Sequence, residues 1–354
     1  MNLYVLDEQF NPIKLIEEYE SLIWATRYKT CGDFELYLTI TSPEVLNYFK
    51  RGYYIARSDV DSLMIIEQLT TETDTDDENH LSITGRSLES IPERRIVWGS
   101  KSITGNLQDG IISLFNDNLI NPSDPNRKIN NYKFIVSDDP NIISMTMDAQ
   151  YTGDDLYSIL TNVCEERNMG FKTILNSDNE FVTSLYCGKD RTLDQLVYPA
   201  VVFSPMYENL DTSSFVQNSK GYKNVTLIGG EGDAGNRKYV PYGEEHGLNR
   251  REVYTDASGT TSNVNNRRLT DEEYTALLIQ KGKEKLAESP DIEAFEGTVL
   301  PTASYEFGKD YYLGDLVTVI NEYGITANAR VIEAVESFDS NGYSLIPTFE
   351  YNNQ

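Results

Sequence analysis

The sequence predicts an α+β chain that is mainly β. Three observations carry that prediction. Phe34, Leu36, Leu38 and Ile40 alternate with Glu35, Tyr37 and Thr39, the period-two pattern of a half-buried strand. Apolar and β-branched runs of strand length recur at both ends of the chain, from residues 3–6 to residues 345–349. Helical periodicity is confined to the middle of the chain and to one later segment after Thr270.

Residues 3–6 read as the first strand, followed by a turn through Asp7 and Pro12. A second strand covers 21–28, and Gly32-Asp33 turns the chain into strand 34–40. Ser42-Pro43 supplies a cap residue and a first-position proline for a short helix that Gly52 closes. Strands follow at 53–56 and 63–69, the latter pairing with 81–84 across an acidic loop at 72–78. Counted from Asp74, that loop lacks the sixth-position glycine and twelfth-position glutamate of a calcium loop, so it reads as a solvated hairpin tip.

From 99 to about 202 the pattern turns helix-rich. A helix over 109–120 carries Ile111, Ile112, Phe115 and Leu119 on one stripe. A second over 154–170 has acids at its start, Arg167 near its end and Gly170 as its cap, and strands at 171–174 and 181–186 follow. After a Gly/Ser/Thr/Asn loop at 256–266, Thr270 and Glu273 form a capping box. It starts a helix through Tyr274, Leu277 and Leu278, with Lys281, Lys283 and Lys285 in its later turns and Ser289-Pro290 as its stop. The tail returns to β at 316–320, 329–335 and 345–349, with a hairpin over Asn341-Gly342. The order is β, then α/β, then β interrupted by a helical insert.

Composition narrows the function. The 56 acidic residues outnumber the 30 basic ones, for a net charge of −26, which argues against a nucleic-acid grip. Cys31, Cys164 and Cys187 are odd in number and widely spaced, and read as small buried hydrophobes of a reducing compartment. The first residues have neither a basic region nor a long apolar core, and no run approaches a membrane span, so a soluble chain without a membrane anchor is expected.

One stretch invites a cofactor. The run 223–228 leads into Gly230, Gly232 and Gly235, spaced as G-x-G-x-x-G. The dinucleotide fingerprint needs a helix to open at the third glycine, with its free N–H groups facing a pyrophosphate. Here Pro241 and Gly243 follow within eight residues, and Glu231 and Asp233 would put carboxylates in the phosphate nest. The stretch therefore reads as a glycine turn between strands. His80 and His246 fall in expected loops without motif partners, so neither a catalytic triad nor a metal set is expected, and no cofactor.

Several stretches together resemble one family. They are Glu20 to Trp24 with Tyr28, then Gly32, Phe34, Glu35 and Leu36, and Gly85-Arg86-Ser87-Leu88 with Arg94-Arg95-Ile96. Further along come Asn224, Gly229, Gly230 and Gly232, then Arg250-Arg251-Glu252, then Asp310, Gly314 and Asp315. In order and spacing the chain is similar to the siphovirus tail-tip and baseplate-hub proteins of phages of Gram-positive bacteria. The resemblance implies a homotrimeric ring that continues or closes the tail tube, with DNA passing through an acidic lumen. It implies two β-barrel-like tube domains, at 1–98 and at 206–243 plus 297–354. An α/β domain at 99–205 and a helix-containing domain at 244–296 are the expected inserts. Implied partners are the distal tail protein, the tape-measure protein and the tail fibre or receptor-binding proteins, in a virion assembled in the host bacterial cytoplasm. The hub of a contractile bacteriocin or injection system shares this fold. Because the chain stops at Gln354, a wall hydrolase or receptor-binding role is expected of other chains.

Overall fold

The computed structural model describes residues 1–73, 79–264, 267–299, 305–321, 323–324 and 326–351. Strands β1 (Leu3–Leu6), β2 (Pro12–Ile16), β3 (Ser21–Arg27), β4 (Asp33–Thr39), β5 (Tyr54–Arg57), β6 (Leu63–Thr73) and β7 (Asn79–Ser87) pair antiparallel in the order β3-β4-β7-β6-β5-β1-β2. The alternation read in the sequence is the burial pattern of β4: Phe34, Leu36 and Leu38 point inward while Asp33, Glu35 and Thr39 face solvent. His80, expected in a loop, lies in β7 opposite Thr39. The β6–β7 hairpin extends to Thr73 and Asn79; the acidic tip at 74–78 lies outside the described residues.

β6 breaks the alternation, because Leu63, Met64, Ile65 and Ile66 are all buried. A strand covered on both faces needs apolar residues at every position. Met64 and Ile66 join the core around Trp24, Phe34 and Leu36. Leu63 and Ile65 join a different core, that of the α/β region that follows.

That region contains β8 (Ser100–Asn106), α1 (Leu107–Phe115), β9 (Tyr132–Phe134), α2 (Pro140–Ser144), β10 (Thr146–Thr152), α3 (Leu156–Arg167), β11 (Gly170–Leu175) and β12 (Phe181–Tyr186). β8 pairs with β10, and β11, β12 and β9 form a three-stranded sheet. α1 starts earlier than expected because the Asn106 side chain accepts the Asp109 N–H, and wider helical turns carry the chain on to Ile120. α3 is capped by Asp155, and it is Asn168 in the left-handed region (φ 52°), not Gly170, that closes it. Gly170 has a different duty, described below. The helix expected at 42–52 is a 3-10 turn over Pro43–Tyr48, without a side-chain cap from Ser42.

The remaining strands are β13 (Val202–Phe203), β14 (Leu210–Asn218), β15 (Val225–Gly229), β16 (Tyr239–Tyr242), β17 (Glu252–Asp256), β18 (Asn263–Val264), β19 (Arg267–Arg268), β20 (Ile292–Val299), β21 (Leu316–Ile320), β22 (Thr326–Asp339) and β23 (Gly342–Tyr351). Helix α4 (Asp271–Ala287) opens on the expected capping box of Thr270 and Glu273. The order β14-β20-β23-β22 continues the large sheet, with β21 and β13 branching from β22. Val201, Phe203, Tyr311, Val317, Val331 and Phe349 build its core.

The decisive pairing is β22 with β3, antiparallel from Glu333 opposite Arg27 to Phe338 opposite Leu22. It fuses both groups of strands into one thirteen-stranded sheet. Among the described residues the strand order is an open path, from β14 to β2, and not two closed circuits. Residues 225–228, expected as a strand of the second tube domain, instead form β15 of a separate three-stranded sheet. There β15 lies between β16, antiparallel, and β17, parallel, with Ile228, Val240, Tyr274 and Leu278 packed between sheet and α4.

Candidate assembly site at the seam

The seam between β3 and β22 is locked by charges. Arg57 donates from Nη1 and Nη2 to the two carboxylate oxygens of Glu336, at 2.8 and 3.1 Å, and from Nε and Nη2 to Asp59, at 3.2 and 2.8 Å. Its side chain is only 1% exposed, and its guanidinium lies 5.3 Å from the Trp24 ring and 4.9 Å from the Phe338 ring. A planar cation between two rings that also makes a bidentate carboxylate contact is a role lysine cannot fill. Trp24 donates its own Nε1–H to Ser62.

Two further cations extend the lock. Arg27 meets Glu333 of β22 at 2.6 Å and Asp33 of β4 at 3.1 Å. Lys29 bridges Glu165 of α3 and Glu350 of β23, at 3.0 and 2.7 Å, so one ammonium ties three regions of the chain together. Burial pushes the Glu165 carboxyl up, against the pull of Lys29.

At the centre stands Tyr28, fully buried. Its hydroxyl donates to the Asn168 carbonyl at 3.2 Å and accepts the Gly188 N–H at 3.4 Å. Burial holds the phenol well above its ordinary value. Two glycines make room for the ring. A Cβ on Gly170 would sit 2.4 Å from it and one on Gly314 would sit 2.3 Å from it, so the α/β region and the 312–315 turn can both close on Tyr28 only because those positions are bare. Gly314 also has φ +88°. Next to it, Asp315 accepts the Lys189 N–H at 2.7 Å and the Arg191 Nε–H at 2.6 Å, and this pair is almost wholly buried.

Beside the seam lies an open cleft of about 1170 Å³, walled by residues such as Phe171, Tyr186, Phe307, Tyr312, Phe338 and Tyr343. The Cys187 thiol lines it, pushed up to about 11 by burial and then by Asp139. All three cysteines are unpaired, Cys31 and Cys164 buried and Cys187 half-buried. His80 meets the Glu20 carboxylate at 2.9 Å and stacks on Tyr37, whereas His246 is exposed. Among the described residues no group of His, Cys, Asp and Glu is arranged to hold a metal ion, and no helix is long and apolar enough to cross a membrane.

The glycine turn is occupied by protein. Gly230 donates to the Lys238 carbonyl at 2.9 Å, and Glu231 N–H donates to the Tyr274 hydroxyl at 2.7 Å. Arg237 donates to the carbonyls of Gly229 and Gly230. A short 3-10 turn at Ala234–Asn236 leads straight to β16, so no helix opens toward a phosphate.

The Siphovirus ReqiPepy6 Gp37-like protein family matches residues 2–349. The chain belongs to that family. It is a siphovirus tail protein, a component of the phage tail and so of the virion. No curated protein matches its sequence. Its fold is shared with the prophage tail protein gp18 of Listeria monocytogenes EGD-e, at 15% identity, TM-score 0.54 and coverage of 100% of this chain and 95% of that one. It is shared too with the 43 kDa tail protein of prophage MuSo2 from Shewanella oneidensis, at 13%, 0.59, 99% and 98%. A tail protein from Neisseria meningitidis MC58 matches at 12%, 0.57, 99% and 96%.

Most of the residues that carried the resemblance fall into two groups in this tail protein. Trp24, Gly32, Phe34, Gly85, Arg86, Gly314 and Asp315 gather at or beside the seam. Gly32 donates its N–H to Ser87 and would clash with the Ala25 carbonyl if it bore a Cβ. Phe34 faces Gly85, which lies against the Ile65 carbonyl at the bulge of β6. Arg86 forks onto Glu67 at 2.8 and 2.9 Å and reaches Glu93 at 2.7 Å. Glu35 is exposed on β4, and Asp310 holds the Glu306 N–H of its own turn at 2.8 Å.

Asn224, Gly229, Gly230, Gly232, Arg250, Arg251 and Glu252 belong to the β15–β17 sheet and its surroundings, away from the seam. Asn224 donates to the Asn249 carbonyl and accepts the Arg251 N–H, and Arg250 pairs with Glu252 at 2.5 Å. Arg94 and Arg95 lie at the end of a 3-10 segment, Leu88–Arg94, under the α/β region. Sequence reasoning missed Tyr28's two glycines, Arg57 with Glu336, and Lys29. Arg57 and Glu336 lie 279 positions apart in the sequence, with no local signature.

Proposed function

We propose that this tail protein is the hub of the tail tip, three copies forming a ring that continues or closes the tail tube and through which DNA passes at infection. The observation that carries the reading is that the fold matches prophage tail proteins from end to end while strands from both ends of the chain lie in one sheet locked by the seam. Each subunit then presents one rigid wall segment, barrel-like in its two halves, with the α/β region and the β15–β17 insert as its appendages. Distal tail, tape-measure and tail fibre or receptor-binding proteins are the neighbours such a ring would meet.

The charge supports passage. Three copies at −26 each would line or surround a bore that repels a polyanion, so DNA could slide without sticking. The role is structural rather than catalytic. Mass photometry and cryo-electron microscopy of the purified chain test it. The expected result is a ring at three times the chain mass of 40.2 kDa with carboxylates on the inner wall. A chain that stays monomeric at high concentration, or a ring with a basic bore, would overturn the reading.

A further inference from the structure

The chain's carboxylates outnumber its cations almost two to one, yet in one place four cations gather that, among the described residues, form no ion pair with a carboxylate. Arg94, Arg95, Arg127 and Lys128 come together where the Leu88–Arg94 segment meets the loop after α1. Arg95 donates from Nε to the Arg127 carbonyl at 2.5 Å and from Nη1 to the Arg94 carbonyl at 2.7 Å. Arg127 donates to the Ile96 carbonyl at 2.7 Å and lies 4.7 Å from the ring of Trp98. Arg94 and Lys128 are exposed, and among the described residues neither has a carboxylate partner.

Elsewhere in the fold, cations such as Arg27, Lys29, Arg57 and Arg86 are matched to acids. Here burial, then Arg127 and Arg94, hold the Arg95 pKa below its ordinary value, so the cluster repels itself. It persists because the backbone fixes it. Arg95 O accepts the Leu156 N–H at the start of α3, and Trp98 N–H donates to Asn118, itself buried. Trp98 is 70% exposed and Ile96 41% exposed. An exposed tryptophan backed by arginines has the composition of an interface hot spot.

We infer that this patch is the surface by which one copy of the chain takes up an acidic face of the next copy. The inference rests on the ring reading and assigns residues to its subunit contact. A second copy brings a net charge of −26, which repels the first nearly everywhere, so association is favoured where uncompensated guanidinium groups can fork onto carboxylates. A heterologous contact of this kind, patch to acidic face, closes into a ring when repeated around an axis. The same logic keeps the patch out of the bore, where cations would hold the DNA backbone and stall passage.

The test uses the full chain and two variants, Arg94→Glu with Lys128→Glu, and Trp98→Ala. Neither variant removes a side-chain hydrogen bond, and circular dichroism and Tm check that each folds. Association is measured by mass photometry across a salt series from about 50 mM to about 1 M, where screening becomes nearly complete. The expected result is a wild-type ring weakened by salt, a charge-reversed variant whose association falls at least about tenfold, equivalent to about 1.4 kcal/mol, and a Trp98→Ala variant weakened as well. A wild-type ring that both variants reproduce at every salt would overturn the patch while leaving the ring. A wild type that is monomeric throughout would overturn both. Binding of duplex DNA by the wild type that the charge-reversed variant loses would replace the copy with nucleic acid and also overturn the inference.

Discussion

The seam and the glycine turn use the same residue types, glycine, arginine and an aromatic ring, to opposite ends. At the seam, Arg57 and Tyr28 hold strands from both ends of the chain to the α/β region between them. In the turn, Arg237 and Tyr274 close β15, β16 and α4 on one another, every partner lying inside the same insert. The difference teaches where a substitution is felt. Loss at the seam undoes the common wall, whereas loss in the turn loosens one appendage.

The largest effect is expected from Arg57→Ala. It leaves Glu336, whose side chain is only 10% exposed, charged and without its cation although the Tyr343 hydroxyl still donates to it, and breaking one side of such a pair costs about 3–5 kcal/mol. Urea unfolding would read it. Arg57→Met combined with Glu336→Leu should recover most of the loss, because removing both charges also removes both desolvation penalties. A single variant as stable as wild type would mean that the ion pair does not hold the seam.

Gly314→Ala comes next, at roughly 2–3 kcal/mol from backbone strain and overpacking combined. The two contributions separate in a double-mutant cycle. Tyr28→Ala removes the ring 2.3 Å from the new methyl, but leaves φ at +88°, so part of the cost must vanish in that background and part must remain. Full additivity of the two substitutions would show that ring and glycine do not meet.

Much of the large sheet was legible in the sequence, and the seam was not. The period of β4, the capping box of α4 and the strand runs near the ends are local patterns, and local patterns survive in a string of letters. β6 was legible as a strand, but its four consecutive buried residues mean two-sided coverage only once the α/β core is placed against it. Gly170 was legible as a helix stop, although Asn168 already performs that task and Tyr28 is what the glycine serves. β8, β10 and β17 were missed because polar residues such as Ser100, Thr104, Asp148 and Glu252 interrupt their apolar pattern. Their strand pairing, not their composition, defines them.

A smaller effect concerns how the insert docks on the α/β region. Glu284 of α4 accepts the Tyr151 hydroxyl hydrogen of β10 at 2.6 Å and is almost fully buried. Burial raises its pKa above the ordinary carboxylate value, against the pull of Lys281 at 3.5 Å, so folding favours its protonated form more than the unfolded chain does. The stability it contributes is therefore present below the unfolded-state pKa and lost as pH rises through the folded one. Glu284→Gln keeps the accepting oxygen without the charge. It should be more stable than wild type at pH 7, with the gap closing toward pH 4, when Tm is compared across that range. A gap of constant size would remove ionisation as its cause.

The smallest effect is the sharpest for the glycine turn itself. If Gly230, Gly232 and Gly235 cradled a phosphate, the third glycine would be indispensable for close packing of helix on strand. In this fold a Cβ on Gly235 meets nothing within 4 Å and its backbone is not left-handed, whereas one on Gly230 would come 2.5 Å from the Tyr274 hydroxyl. Gly235→Ala should therefore be neutral or stabilising by about 0.4–1 kcal/mol, because alanine restricts the unfolded chain more than glycine does. Gly230→Ala should cost about 1–3 kcal/mol by overpacking against α4. A spacing that looks uniform in the sequence thus divides by contact, and chemical denaturation of the two variants side by side would reveal it. Equal losses at both positions would return the turn to the reading its spacing first suggested.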